Sequence, residues 1–110
     1  MEYKSKYIVL TDANFHKEVI ESSRPMLVVC ETDWCGACHI MAPIYELLSD
    51  HYKWKIKIGK LDFEDNEQIP RKYGIQDIPT LLFFKNGEIV DRITGTISRK
   101  NLETRLKDIL

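Results

Sequence analysis

Residues 26–30 read Met-Leu-Val-Val-Cys, an unbroken apolar run with two β-branched residues at its centre. A strand with one wet face alternates apolar and polar side chains, because successive residues point to opposite sides of the sheet. A run without that alternation needs cover on both faces, which places the chain in the α/β class, with a sheet between helices. At 110 residues and 44% hydrophobic the chain has enough apolar material to close such a core without disulfide staples. The expected organisation is one domain over residues 1–110.

The remaining pattern fits that frame. Tyr7-Ile-Val-Leu10 predicts a first strand. Thr11 and Asp12 offer N-cap oxygens to a first helix carrying Phe15 and Val19, which Pro25 separates from the next strand. Ile40, Ile44, Leu47 and Leu48 predict the inner face of a helix running to about Tyr52, with Pro43 as a kink. Lys55-Ile-Lys-Ile58 alternates, predicting a third strand that continues to Phe63. A short helix from Gln68 to Tyr73 ends at Gly74. Thr80–Lys85, Asn86-Gly87 and Glu88–Ile93 form a hairpin signal, since Asn-Gly accepts the positive φ angles of a tight turn. Ser98 caps a last helix with Leu102, Leu106, Ile109 and Leu110 facing inward. The order is β-α-β-α-β-α-β-β-α in a mixed sheet, read as parallel pairs joined by crossovers plus one antiparallel edge strand.

Charge excludes some functions. Sixteen Lys and Arg stand against 17 Asp and Glu, so there is no basic excess for nucleic acid or a membrane surface. The start, MEYKSKYIVL, has no apolar leader core, and no apolar run is long enough to span a bilayer. The default expectation is a cytoplasmic monomer. Three cysteines make a poor disulfide framework, but two of them at C-x-x-C spacing point to chemistry.

That pair is Cys35 and Cys38, in Trp34-Cys-Gly-Ala-Cys-His39, where the buried strand gives way to a helix. The first helical turn directs unpaired N–H groups and the positive end of the helix dipole outward, which stabilises a thiolate. Cys35 is then the exposed attacking thiolate and Cys38 the shielded resolving thiol in disulfide exchange. Other readings use the same residues. Cys35-Gly-Ala-Cys-His39 is also the c-type haem attachment pattern, although no Met beyond Met41 is available as an axial ligand. Cys30, Cys35 and Cys38 match an iron–sulfur spacing that lacks its fourth Cys. With His39 they make a paper zinc set, which the buried strand position of Cys30 opposes. A purely structural disulfide closes too small a loop to stabilise much.

The ordered landmarks resemble the thioredoxin family. They are Trp34 to Cys38, Pro43, Lys60-Leu-Asp62, Lys72-Tyr-Gly-Ile75, Ile78-Pro-Thr80, Phe84-Lys-Asn-Gly87 and Gly95. The resemblance implies a thioredoxin fold, reduction of protein disulfides, and a cis peptide before Pro79 beside the cysteines. It implies that the Ile78 backbone pairs with substrate, over an apolar seat of Trp34, Gly36, Phe63, Pro79 and Gly95. It also implies no bound cofactor, with recharging by an NADPH-dependent thioredoxin reductase as a partner. Related roles in oxidation, isomerisation or peroxidase feeding, or a mainly binding or chaperone-like module, remain alternatives.

Several positions depart from the family pattern. Val29 stands where the family carries a buried Asp that assists the resolving cysteine, here Cys38. Glu31, two residues on, faces the same side of the strand and is the candidate replacement, with Lys60 as its ionic neighbour. The opposing reading makes Glu31 a solvated strand-end charge. Ala37 replaces the usual Pro and brings an N–H into the first helical turn, which predicts a less reducing pair. His39 replaces a common Lys and, when protonated, would add positive charge near Cys35 and tie thiolate content to pH near neutrality; the opposing reading is an exposed His on the first helical turn. Asp77 puts a negative charge on the docking rim.

Overall fold

The apolar run of residues 26–30 forms the central strand of a five-stranded sheet in a computed structural model that describes residues 7–110. The reading of residues 1–6 lies outside that range. In chain order the elements are β1 (Ile8–Leu10), a π-helical turn (His16–Ile20), β2 (Met26–Glu31), α1 (Gly36–His51), β3 (Lys57–Asp62), α2 (Gln68–Lys72), β4 (Thr80–Lys85), β5 (Glu88–Thr94) and α3 (Arg99–Lys107). The strand order is β1-β3-β2-β4-β5.

Both faces of β2 are covered, as its composition requires. Leu27 and Val29 point to a core built with Met41, Tyr45 and Leu48 of α1 and Leu102 and Leu106 of α3. Met26, Val28 and Cys30 point the other way, to Phe15, Val19, Ile69 and Ile75.

The expected single antiparallel edge strand is corrected. β2 is parallel to β3, but β4 is antiparallel to β2 as well as to β5. The five-residue α2 is the cause. It rises only about 7 Å, against about 20 Å for a six-residue strand, so it does not carry the chain back across the sheet. The chain re-enters where β3 left, and Thr80 at the start of β4 lies opposite Cys30 near the end of β2.

Local corrections have local reasons. The inner face of α1 is Cys38, Met41, Tyr45 and Leu48, whereas Ile40 and Leu47 are exposed and Ile44 is only partly buried. Those two stripes lie about 100° apart on a helix, and apolar character alone does not choose between them. Pro43 lies inside α1, which runs on to His51. β3 begins at Lys57 because Lys55 and Ile56 N–H both bond back to the Tyr52 carbonyl. It ends at Asp62, whose carboxylate accepts from Glu64 and Asp65 N–H in the following turn. Leu110 is exposed, while Leu102, Leu106 and Ile109 are buried as expected. The first helix is a π turn in which Thr11 and Asn14 bond reciprocally. Asp12 instead caps α2, accepting from Glu67, Gln68 and Ile69 N–H at 2.9–3.0 Å. No helix among the described residues is long and apolar enough to cross a membrane.

Candidate active site

The end of β2 delivers the chain through Thr32 and Asp33 to Trp34, and α1 begins directly after Cys35. Cys35 and Cys38 form a disulfide with Cα atoms 5.2 Å apart. Both residues are largely covered, Cys35 at 7% and Cys38 at 3% exposure, so Cys35 is the more open of the two. Cys35 is the N-cap of α1, and its Sγ accepts the Cys38 backbone N–H at 3.1 Å. The N–H bonded to that sulfur is that of Cys38, and Ala37 stands one residue earlier in the same first turn. An N–H at the third position past the cap points back along the helix axis at the cap atom, which is ordinary N-cap geometry.

β4 supplies the other wall. Ile78-Pro79 is a cis peptide, and the Ile78 carbonyl lies 4.0 Å from Cys35 Sγ. Gly95, at φ +93°, donates its N–H to the Pro79 carbonyl at 2.8 Å. A Cβ placed on Gly36 or Gly95 meets no atom within 4 Å, so the surface over both is open. Trp34 is 67% exposed, and its indole N–H donates to Glu64 Oε1 at 2.7 Å, which anchors the exposed ring. Cys35, Ile78, Pro79 and Gly95 are thus linked in one chain of contacts. Phe63 is not brought to the disulfide by any described contact. Its N–H bonds the Glu31 carbonyl, and its ring packs against the opposite core with Ile69 and Ile75. Asp77 is exposed, and its carbonyl accepts from Thr80 Oγ1.

Glu31 and Lys60 pair at 3.5 Å, on the face of the sheet that also carries Val29. With side chains 21% and 25% exposed, neither is a freely solvated surface charge. Among the described residues, Glu31 Oε1 is buried without a hydrogen-bond partner. Burial raises the Glu31 pKa above its ordinary value; Lys60 and His39 pull it down and Asp33 pushes it up. Lys60 Nζ also sits 4.1 Å from the centre of the Tyr7 ring. Glu31 and Lys60 line a cleft of about 350 Å³ with Thr32, Asp33, Asp62 and Asn66, on the β3 side of β2, away from Pro79.

His39 is tied to the loop before Trp34. Its ring Nε2 bonds the Asp33 carbonyl, and its charge acts on Glu31. Cys30 is buried inside the sheet, where desolvation, reinforced by Asp62 and Glu31, pushes its thiol up to about 12. Among the described residues no group of three or more His, Cys, Asp or Glu is placed to hold a metal.

Sequence reasoning missed Glu64, Tyr45 and Thr32. Glu64 carried no signal, because its partner Trp34 lies 30 residues away. Tyr45 could have been found as a polar-tipped residue seven positions after Cys38, on the same buried stripe. Thr32 carries a buried hydroxyl without a partner among the described residues.

A protein-family model described as Thioredoxin matches residues 6–108. The chain is 40% identical over 97 residues to a thioredoxin of Porphyra purpurea, covering 88% of this chain and 91% of that protein. It is 42% identical over 93 residues to a thioredoxin of Rickettsia felis, covering 84% and 89%. A thioredoxin of Pseudomonas aeruginosa is 37% identical over 99 residues, covering 89% and 92%.

Proposed function

Because the chain belongs to the thioredoxin family and is a thiol–disulfide oxidoreductase, we propose how its own residues divide that work. Cys35, the more open sulfur, attacks one sulfur of a substrate protein's disulfide as a thiolate. A Cys35–substrate disulfide forms, and the substrate's other sulfur leaves as a thiolate and takes a proton. Cys38 then passes its proton to Glu31, and its thiolate attacks Cys35 Sγ. The second substrate sulfur is released, and Cys35–Cys38 closes as a disulfide. That second sulfur also takes a proton from water, and Glu31 returns the Cys38 proton to solvent; the substrate has gained two electrons from the protein, and two protons.

The observation that carries this reading is the capping of α1 by Cys35 Sγ opposite the Ile78 carbonyl. One sulfur receives a free N–H of the helix's first turn and lies beside a backbone able to dock an extended chain. Trp34, Gly36, Pro79 and Gly95 form the seat for that chain, with Phe63 on its far rim. Support for Glu31 comes from its pairing with Lys60 and its buried Oε1. A carboxyl whose pKa is raised by burial is a stronger base than an ordinary one at neutral pH. The cleft beside it gives protons a route to solvent while substrate covers the Pro79 side.

We also place the protein as a single-domain monomer in the reducing cytoplasm, recharged there by an NADPH-dependent thioredoxin reductase. Insulin reduction driven by such a reductase tests the whole scheme. Wild type turns over many equivalents of disulfide; Cys35→Ser abolishes turnover, and Cys38→Ser stalls as a mixed disulfide. Full turnover by Cys35→Ser refutes the assignment of roles.

A further inference from the structure

One buried polar group on the Glu31 face of the sheet has no part in the scheme above: the phenol of Tyr45. Tyr45 is fully buried on α1, in line with Cys38 and Met41. Its hydroxyl and Glu31 Oε1 are both buried, and neither has a hydrogen-bond partner among the described residues. A buried donor and a buried acceptor are each costly to leave unpaired, and one water between them satisfies both. Both side chains lie around the Lys60 ammonium, with no direct bond between them. Lys60 Nζ is 3.5 Å from Glu31 Oε2 and 5.8 Å from the centre of the Tyr45 ring. Glu31 is also among the charges that oppose phenolate formation at Tyr45.

We propose that Tyr45 is a positioning residue whose hydroxyl donates across one water to Glu31 Oε1 and holds that carboxylate ready to take the Cys38 proton. This rests on the reading of Glu31 as proton carrier. Donation favours the ionised carboxylate and works against burial. Lys60 on β3 and His39 on α1 act in the same direction, and Asp33 acts against them. Tyr7, over the Lys60 ammonium, completes the surroundings.

The test is a carbon-13 titration of the Glu31 carboxyl in the oxidised protein, where Cys38 carries no proton. In wild type, the Tyr45 ring carbon bearing the hydroxyl should report the same midpoint as Glu31, which needs no mutation. Tyr45→Phe keeps the ring and should move the Glu31 midpoint upward. Thr32→Val, which removes the other unpartnered buried hydroxyl of this region, should not. Tyr45→Phe should also slow mixed-disulfide resolution about tenfold on the acid side of its pH profile, the worth of one hydrogen bond to a charged group. An unmoved midpoint in Tyr45→Phe, or a Tyr45 signal blind to Glu31, overturns the proposal. A moved midpoint with an unmoved rate profile keeps the water-bridged Tyr45–Glu31 link but overturns the proton-carrying role.

Discussion

The backbone N–H of Cys38 meets the Sγ of Cys35 at 3.1 Å, so α1 is capped by a sulfur rather than by an oxygen. Ala37, between them, is free to keep its own N–H at the same positive end of the helix. Ala37→Pro deletes that donor and leaves the Cys38 bond in place. The dithiol form then loses thiolate stabilisation, and the pair becomes more reducing, by on the order of 30 mV or about 1.4 kcal/mol. Equilibration against glutathione measures it; a potential that stays put or becomes less negative contradicts the argument.

Glu31 sets a pH dependence of stability. Its pKa is raised by burial, which outweighs the attraction of Lys60, so the folded protein holds this proton to higher pH than the unfolded chain does. The stabilisation is complete below the unfolded carboxyl value of about 4.3 and is lost as pH rises through the raised folded value. Glu31→Gln does not titrate. Urea unfolding at pH 4 and pH 8 should therefore show the variant gaining on wild type toward the higher pH. A constant difference between the two would remove the burial argument.

Cys30 should behave as core. Its thiol, pushed up to about 12 inside the sheet, is protonated and shielded at neutral pH. The oxidised protein should show no fast-reacting thiol with an aromatic disulfide reagent until it is denatured, when one appears. Cys30→Ser buries a hydroxyl in an apolar site and should cost about 1–3 kcal/mol, with insulin reduction retained.

Asp12 ties the start of the chain to α2. Asp12→Ala removes three hydrogen bonds from the N-terminal N–H groups of that helix and should destabilise the fold by about 1–2 kcal/mol. Asp12→Asn, which keeps an oxygen acceptor, should recover much of the loss in a thermal melt.

Period and turn chemistry are local, and they were legible. The apolar run at residues 26–30 fixed a strand covered on both faces, and Asn86-Gly87 fixed the hairpin with φ of 53° and 79°. Ser98 capped α3 as its residue type demands. The cysteine pair and its landmarks were equally plain, because they occupy consecutive or ordered positions. What stayed hidden depends on how far apart in sequence two contacting residues lie. Asp12 looked like the cap of its own helix but serves α2, 55 residues on.

The direction of β4 follows the same rule. Residue types between Phe63 and Pro79 give no sign of whether the chain recrosses the sheet; the shortness of α2 decides it. That choice sets the Ile78 carbonyl beside Cys35 Sγ, 43 residues apart. Sequence alone determined the reactive atoms and the helix start that tunes them, since both belong to one turn of chain. Only the tertiary structure decided what faces them, because Ile78, Lys60 and Tyr45 come from three other segments and meet only when the sheet closes its core.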